Sequence, residues 1–326
     1  MVDSIISKLL NSDEPSIRYK VLVKILGENP NSKEIEDLQH QIKISRRVQS
    51  LLSERDSDGR IPFHPYRKWY GAHWVLTSLA ELHYPSGDKT LIPLREQIYE
   101  WLFSKKQLND FKNIDGRVRI HASMEGNAIY SLLSLGIADN RTDELVNRLL
   151  MYQWQDGGWN CDKKPKAMKS SFMESLIPLR AMIYYAKMKK NSDAKNASIK
   201  ASDIFLKRKL FKSQKNGEII KEDFITLHYP CYWHYDILFG LKVLAEGGFI
   251  TDPRCKDALD LLESKKLPDG GFPAEKKYYI ATDQFKSGRS LVNWGGTSKK
   301  RINEFITTDA LFVLKKARCF KSLLNN

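Results

Sequence analysis

The sequence predicts an all-α fold, an (α/α)6 toroid of six helical hairpins, and three observations predict it. A turn signal recurs five times, at Asp58-Gly59, Asp115-Gly116, Asp156-Gly157-Gly158-Trp159, Asn216-Gly217 and Asp269-Gly270-Gly271-Phe272. An amphipathic run precedes each signal, and a more evenly apolar run follows it past a loop of variable length. Strand patterns are confined to short stretches near 117–120 and 218–220, suited to small β pairs in loops. A supersecondary unit repeated at this spacing must bury its apolar faces against neighbouring copies.

The elements follow in order. Segments at about 3–10 and 15–26 form the first pair. Outer helices are expected at about 35–54, 91–104, 141–154, 197–210 and 255–265. Inner helices are expected at about 70–83, 123–136, 171–188, 232–246 and 303–317. Asp-Gly and Asn-Gly suit the turns because Gly accepts positive φ and the Asx side chain bonds local backbone. The runs from Asp236 to Leu244 and from Asp309 to Leu314 are apolar on more than one face. Such helices belong between two layers, so a closed ring is favoured over an open solenoid. One domain over 1–326 is the expectation, since repeat folds reach this length as a unit.

Composition narrows the class. The chain is 42% hydrophobic and 28% charged, without low-complexity tracts. Its N-terminus lacks the apolar core of a signal peptide. No run approaches the roughly 18 apolar residues of a membrane span. Cys161, Cys231, Cys255 and Cys319 show no CxxC spacing, so a reduced, cytoplasmic protein is expected. The net charge of +14 is spread over helix faces such as Lys187–Lys190 and Lys207–Lys209. Without one basic block interleaved with aromatics, a solvated surface is favoured over a nucleic-acid partner.

Gln153 to Cys161 and Leu267 to Ala274, with their Asp-Gly-Gly-Trp and Asp-Gly-Gly-Phe cores, resemble the repeat signature of the terpenoid cyclase and protein prenyltransferase superfamily. Fainter copies at Asp58, Asp115 and Asn216 extend the resemblance over roughly 35–317. The chain is similar to bacterial proteins described as squalene-cyclase-like or prenyltransferase-like, whose chemistry is that of an isomerase or a transferase. The resemblance implies the toroid and a cavity suited to isoprenoids. It does not supply the family's catalytic motifs. The D-x-D-D acid has one counterpart carboxylate, Asp309 in Thr307-Thr308-Asp309-Ala310, and no Asp-Asp pair exists for a D-D-x-x-D metal site. Of the prenyltransferase zinc ligands only Cys231 aligns, with Tyr229 and Ile306 in the other two places.

The first turn of each of five inner helices carries an ionisable residue: His73, Glu125, Glu174, Asp236 and Asp309. Acids at helix starts also serve as caps and complement the macrodipole. Read as equivalent positions, the five meet around the mouth where inner helices begin. Carboxylates gathered there would raise one another's pKa values and supply a general acid and base. Glu125, Glu174, Asp236, Asp309, His73 and His234 are the expected catalytic set. Trp69, Trp74, His121, Tyr232, Trp233, Trp294 and Arg289 are the expected substrate-binding set. The first inner helix has no clear equivalent of the acid. His228, Cys231, His234 and Asp236 are zinc ligands by type, but their spacing is not a standard one. Pocket lining is favoured there, and no cofactor or metal is expected.

Long connections at 106–122, 157–170, 211–231 and 266–302 should cover the same mouth. Arg289, Lys299, Lys300 and Arg301 in the last are candidates for an anionic group such as a diphosphate. The expected function is a small-molecule site, for an isoprenoid by the resemblance, worked by acid–base chemistry. A carbohydrate-active hydrolase or lyase would instead pair two carboxylates about 5–5.5 or 6.5–9.5 Å apart in a polar cleft. A non-enzymatic toroid would bind a ligand or partner with its acids engaged as caps.

Overall fold

The computed structural model describes residues 2–317, with side chains over 4–317; Cys319 lies outside them. The fold is all-α. The outer layer comprises α1 (Val2–Leu10), α3 (Lys33–Ile44), α4 (Arg46–Leu52), α6 (Ile92–Leu102), α9 (Asn140–Met151), α11 (Ser192–Leu206) and α13 (Lys256–Ser264). The inner layer comprises α2 (Pro15–Tyr19) with its π-helical continuation Lys20–Leu26, α5 (Ala72–Glu81), α8 (Ala122–Ser134), α10 (Phe172–Lys189), α12 (Ile237–Gly247) and α14 (Glu304–Lys316). A short helix, α7 (Lys105–Asn109), follows α6. No helix among the described residues is long and apolar enough to cross a membrane.

The inner helices form a closed ring. α5 packs on α8, α8 on α10, α10 on α12 and α12 on α14, and α14 returns to α2 and its π-helical segment. Tyr19 of α2 stacks on His83 just past α5, ring centroids 4.9 Å apart. Each outer helix lies against this ring, as α9 does on α8 and α11 on α10. Buried apolar side chains between the layers form one continuous core. The run expected as one helix over 35–54 breaks at Ser45, whose extended backbone ends α3 and whose hydroxyl accepts from Val48 N–H at the start of α4. The strand expectation near 117–120 is met by a hairpin, β1 (Lys112–Ile114) with β2 (Arg117–Arg119), closed through Asp115 and Gly116 at positive φ.

The turn signature is fastened to the inner helix that follows it. Trp159 N–H donates to Ser175 Oγ at 3.1 Å, and that hydroxyl donates back to Trp159 C=O at 3.3 Å. Phe272 and Thr307 repeat the exchange at 2.9 and 3.1 Å. Both ring side chains are fully buried. The second glycine of each signature admits the helix: a Cβ on Gly158 would lie 2.4 Å from Ser175 Oγ, and one on Gly271 would lie 2.3 Å from Ile302 Cγ2.

α8 and α10 come into backbone contact at Gly126, where a Cβ would stand 2.8 Å from the backbone nitrogen of Pro178. Proline contributes no N–H there, so two backbones meet without stranding a donor. Gly126→Ala gains roughly 1 kcal/mol of helix propensity, but forces backbone against backbone at a cost of about 1–3 kcal/mol. The net outcome expected is destabilisation, read as a lower denaturation midpoint at unchanged m-value.

Candidate functional site

The five ionisable residues do not meet. His73 is the second residue of α5, Glu125 the fourth of α8, Glu174 the third of α10 and Asp309 the sixth of α14, while Asp236 caps α12 from outside. One residue turns a helical side chain by about 100°, so these offsets aim the groups in different directions. The hydroxyl clamps give the true register. Ser175 corresponds to Thr307, which places Glu174 opposite Ile306 and Asp309 nearly one turn deeper.

Each of the five accordingly has its own surroundings. Asp236 accepts from Phe239 N–H at 2.8 Å and from His228 N–H at 2.9 Å, and its carboxylate lies 2.9 Å from His228 Nδ1. His73 is fully buried near Tyr66, Trp74 and Trp101, with neither ring nitrogen hydrogen-bonded. Desolvation lowers its pKa to about 3, so it stays neutral. Glu125 points outward to Arg148 of α9 at 2.8 Å. Its burial outweighs that attraction and raises its pKa to about 7. Glu174 takes Ser123 N–H at 2.8 Å and faces His121 Nδ1 at 3.4 Å.

The mouth where inner helices begin is closed by aromatic stacking. Trp69 stacks on Tyr232 with centroids 3.9 Å apart, and Trp74 meets both edge-on. His234 lies between Trp233 and Tyr278, at 4.0 and 3.4 Å. Desolvation, with His228 beside it, lowers the His234 pKa to about 3. Trp294 packs on Tyr229 and Phe305. The loop over 266–302 belongs to this cover: Tyr279 Oη accepts from Trp294 N–H at 3.0 Å. Arg289, expected to receive an anion, instead grips Glu54 through two bonds of 2.9 and 2.7 Å, with its guanidinium against Tyr70. The residues there that are zinc ligands by type do not converge either. Cys231 Sγ faces His228 C=O at 3.8 Å, and the His228 and His234 rings stand 5.9 Å apart. Of the expected binding set, His121 alone joins an ionisable cluster, with Cys161 and Glu174.

Beneath the aromatic cover lies a void of about 30 Å³, bordered by Tyr229, Cys231 and Trp294 above and by Glu81, Arg180, Lys242 and Asp309 below. Those same four residues line a central cavity of about 830 Å³. Its other walls come from the later turns of the inner helices and the segments after them, including Ser134, Tyr184, Lys187, Gly248 and Lys316. The cavity is therefore at the mouth opposite to the one expected.

Paired charges span this axis. Arg180 forks onto Glu246 with two bonds of 2.7 Å and also bonds Glu81. Lys242 joins Glu81 at 2.8 Å and Asp309 at 2.9 Å, and Lys20 reaches Asp309 at 3.3 Å. Lys20 stands on the helix that lacked an acid. Burial opposes the charge on Glu81, but Arg180 and Lys242 outweigh it and hold Glu81 well below the carboxylate range. Burial likewise opposes the charge on Lys242, and Asp309 and Glu81 hold it above the lysine range. Lys24 is held below that range by desolvation and by Lys20, Lys242 and Arg180, against the pull of Glu246. In all, six basic side chains (Lys20, Lys24, Arg180, Lys187, Lys242, Lys316) face three carboxylates (Glu81, Glu246, Asp309). Sequence reasoning passed over Lys20, Glu81, Arg180 and Lys242. Their signal was an isolated charge within an apolar inner helix, clearest for Lys242 between Leu241 and Val243.

Glu125 yields a pH signature. Its folded pKa of about 7 lies above its ordinary 4.5, so the native state holds the proton more tightly than the unfolded chain. Its contribution to stability is full below pH 4.5 and is lost as pH rises towards 7. Subtracting the pH–stability curve of Glu125→Gln from that of the wild type should leave a decline confined to this window. A flat difference curve would refute the assignment.

No family model matches the chain, and no curated protein matches it. Among solved structures, the crystal structure of a protein from Actinoplanes is similar over 97% of both chains, at 15% identity and a TM-score of 0.44. A type II terpene cyclase from Scytonema, in complex with its substrate geranylgeranyl dihydroxybenzoate, is similar over 86% of this chain and 97% of its own, at 13% identity and a TM-score of 0.28.

Proposed function

We propose that this cyclase-like toroid binds a small amphipathic anion, of the kind an isoprenoid diphosphate represents, in its central cavity. The observation that carries the reading is the excess of cations over carboxylates around that cavity. A volume of about 830 Å³ falls in the range of small-molecule sites. Tyr130, Leu133, Tyr184 and Phe312 supply apolar wall beside the charges. The anionic head would meet Lys24 and the outer lysines, and the apolar part would lie along these side chains.

The ion pairs bear on the chemistry. Glu81 is kept charged by Arg180 and Lys242, and Asp309 sits between two ammonium groups. Both Asp309 oxygens are taken up in ion pairs, Oδ1 with Lys20 and Oδ2 with Lys242, which leaves neither free to face a substrate. A glycosidase pair needs one carboxylic acid and one free carboxylate, and ion pairing of all three cavity carboxylates disfavours it. Binding, with charge neutralised by the lysines, is the function that the geometry supports best.

Calorimetric titration with geranyl diphosphate and with geraniol tests this. The diphosphate should bind and raise the melting temperature, weaken as salt is added, and bind at least about tenfold better than the neutral alcohol, or about 1.4 kcal/mol. Lys24→Met, outside the ion-pair network, should weaken the diphosphate without unfolding the chain. Equal affinity for the alcohol, or no binding of either, would overturn the reading.

A further inference from the structure

A second constellation lies at the opposite end of the ring, apart from the cavity. His121 immediately precedes α8, Glu174 is in the first turn of α10, and Cys161 follows the Asp-Gly-Gly-Trp turn between α9 and α10. Their ligating atoms all lie within 4.8 Å of one another. We propose that His121 Nδ1, Cys161 Sγ and Glu174 Oε1 form a site for a zinc-like divalent transition metal, with a fourth position open to water or ligand.

The donor set is the first argument. One imidazole, one thiolate and one carboxylate suit zinc and its borderline neighbours, and exclude calcium and magnesium, which take oxygen alone. Bond lengths of roughly 2.0–2.3 Å at tetrahedral angles separate ligand atoms by about 3.3–3.6 Å. His121 Nδ1 and Glu174 Oε1 already stand 3.4 Å apart.

The surroundings are the second argument. Ser123 N–H donates to Glu174 Oε2 at 2.8 Å, which orients the carboxylate and leaves Oε1 to face His121. The far nitrogen of His121, Nε2, lies 4.0 Å from Asp110, itself paired with Lys163. A carboxylate behind the non-ligating nitrogen is the usual outer partner of a zinc-bound histidine.

Backbone bonds hold the three segments together. Ile120 N–H donates to Asn160 C=O at 3.1 Å, joining the residue before His121 to the residue before Cys161. Ser171 N–H donates to Trp159 C=O at 2.9 Å, joining the same turn to the cap of α10. The site draws on the third and fourth hairpins. The prenyltransferase zinc position, by the alignment of Tyr229, Cys231 and Ile306, would fall on the fifth and sixth.

Cobalt titration of the chelator-stripped, full-length protein tests the proposal. One equivalent should bind and produce the near-ultraviolet band of a sulfur-to-cobalt bond, and zinc should bleach it. Cys161→Ser should abolish the band and Cys231→Ser should keep it. Glu174→Gln should weaken cobalt binding at least about tenfold. Absence of the band in the wild type, or its survival in Cys161→Ser, would overturn the proposal. Because the wild-type titration decides by itself, a variant that fails to fold leaves the test intact.

Discussion

Closing six inner helices into a ring leaves an axis that their side chains must fill, and here charge fills it. Arg180, Glu81, Lys242, Asp309 and Lys20 come from five of the six inner helices and bond in sequence across the centre. Removing one member of such a buried network leaves a charge unpaired, at a cost of about 3–5 kcal/mol. The same lattice divides the axis. Above it the space shrinks to about 30 Å³ under stacked aromatics, and below it about 830 Å³ remains. The position of the cavity, its cationic balance and the engagement of Asp309 all follow from that arrangement.

The two ends of the ring differ in consequence. At the ends where inner helices start, the long loops and aromatic side chains are committed to packing, and the ionisable groups there are capped, paired or neutral. His73 and His234 illustrate the last case, since aromatic neighbours remove water without supplying a counter-charge. His121, Cys161 and Glu174 depart from the pattern. Burial of the Cys161 thiol, with the Glu174 carboxylate beside it, pushes that thiol up to about 12, a poor setting for a free nucleophile. At the other end Lys24, Lys187 and Lys316 stand in the last turns of three inner helices, and the ring stays open.

Much of the fold was legible in the chain. The turn signatures and the alternation of amphipathic and evenly apolar helices gave the order of the hairpins, although α11 starts five residues before its expected bound and α12 five residues after. The equivalence of the five ionisable residues was the misreading. It rested on their nearness to helix starts, whereas the starts are set by tertiary bonds: Ser171 and Asn303 each donate backward to the turn residue of their own signature. A shift of three residues between Glu174 and Asp309 is minor on paper. On a helix it moves the side chain nearly a full turn along the axis.

The sequence by itself determined the repeat, the helices and their order, because helix periodicity and turn chemistry are local and act within a few residues. Only the tertiary structure decided which side chains meet. Arg180 finds Glu81 across 99 positions, Lys242 finds Glu81 across 161 and Lys20 finds Asp309 across 289. No local pattern encodes such pairings, since they depend on the rotation of each helix in the closed ring. His121, Cys161 and Glu174 were brought together by the same closure, on three segments that looked unrelated in the chain.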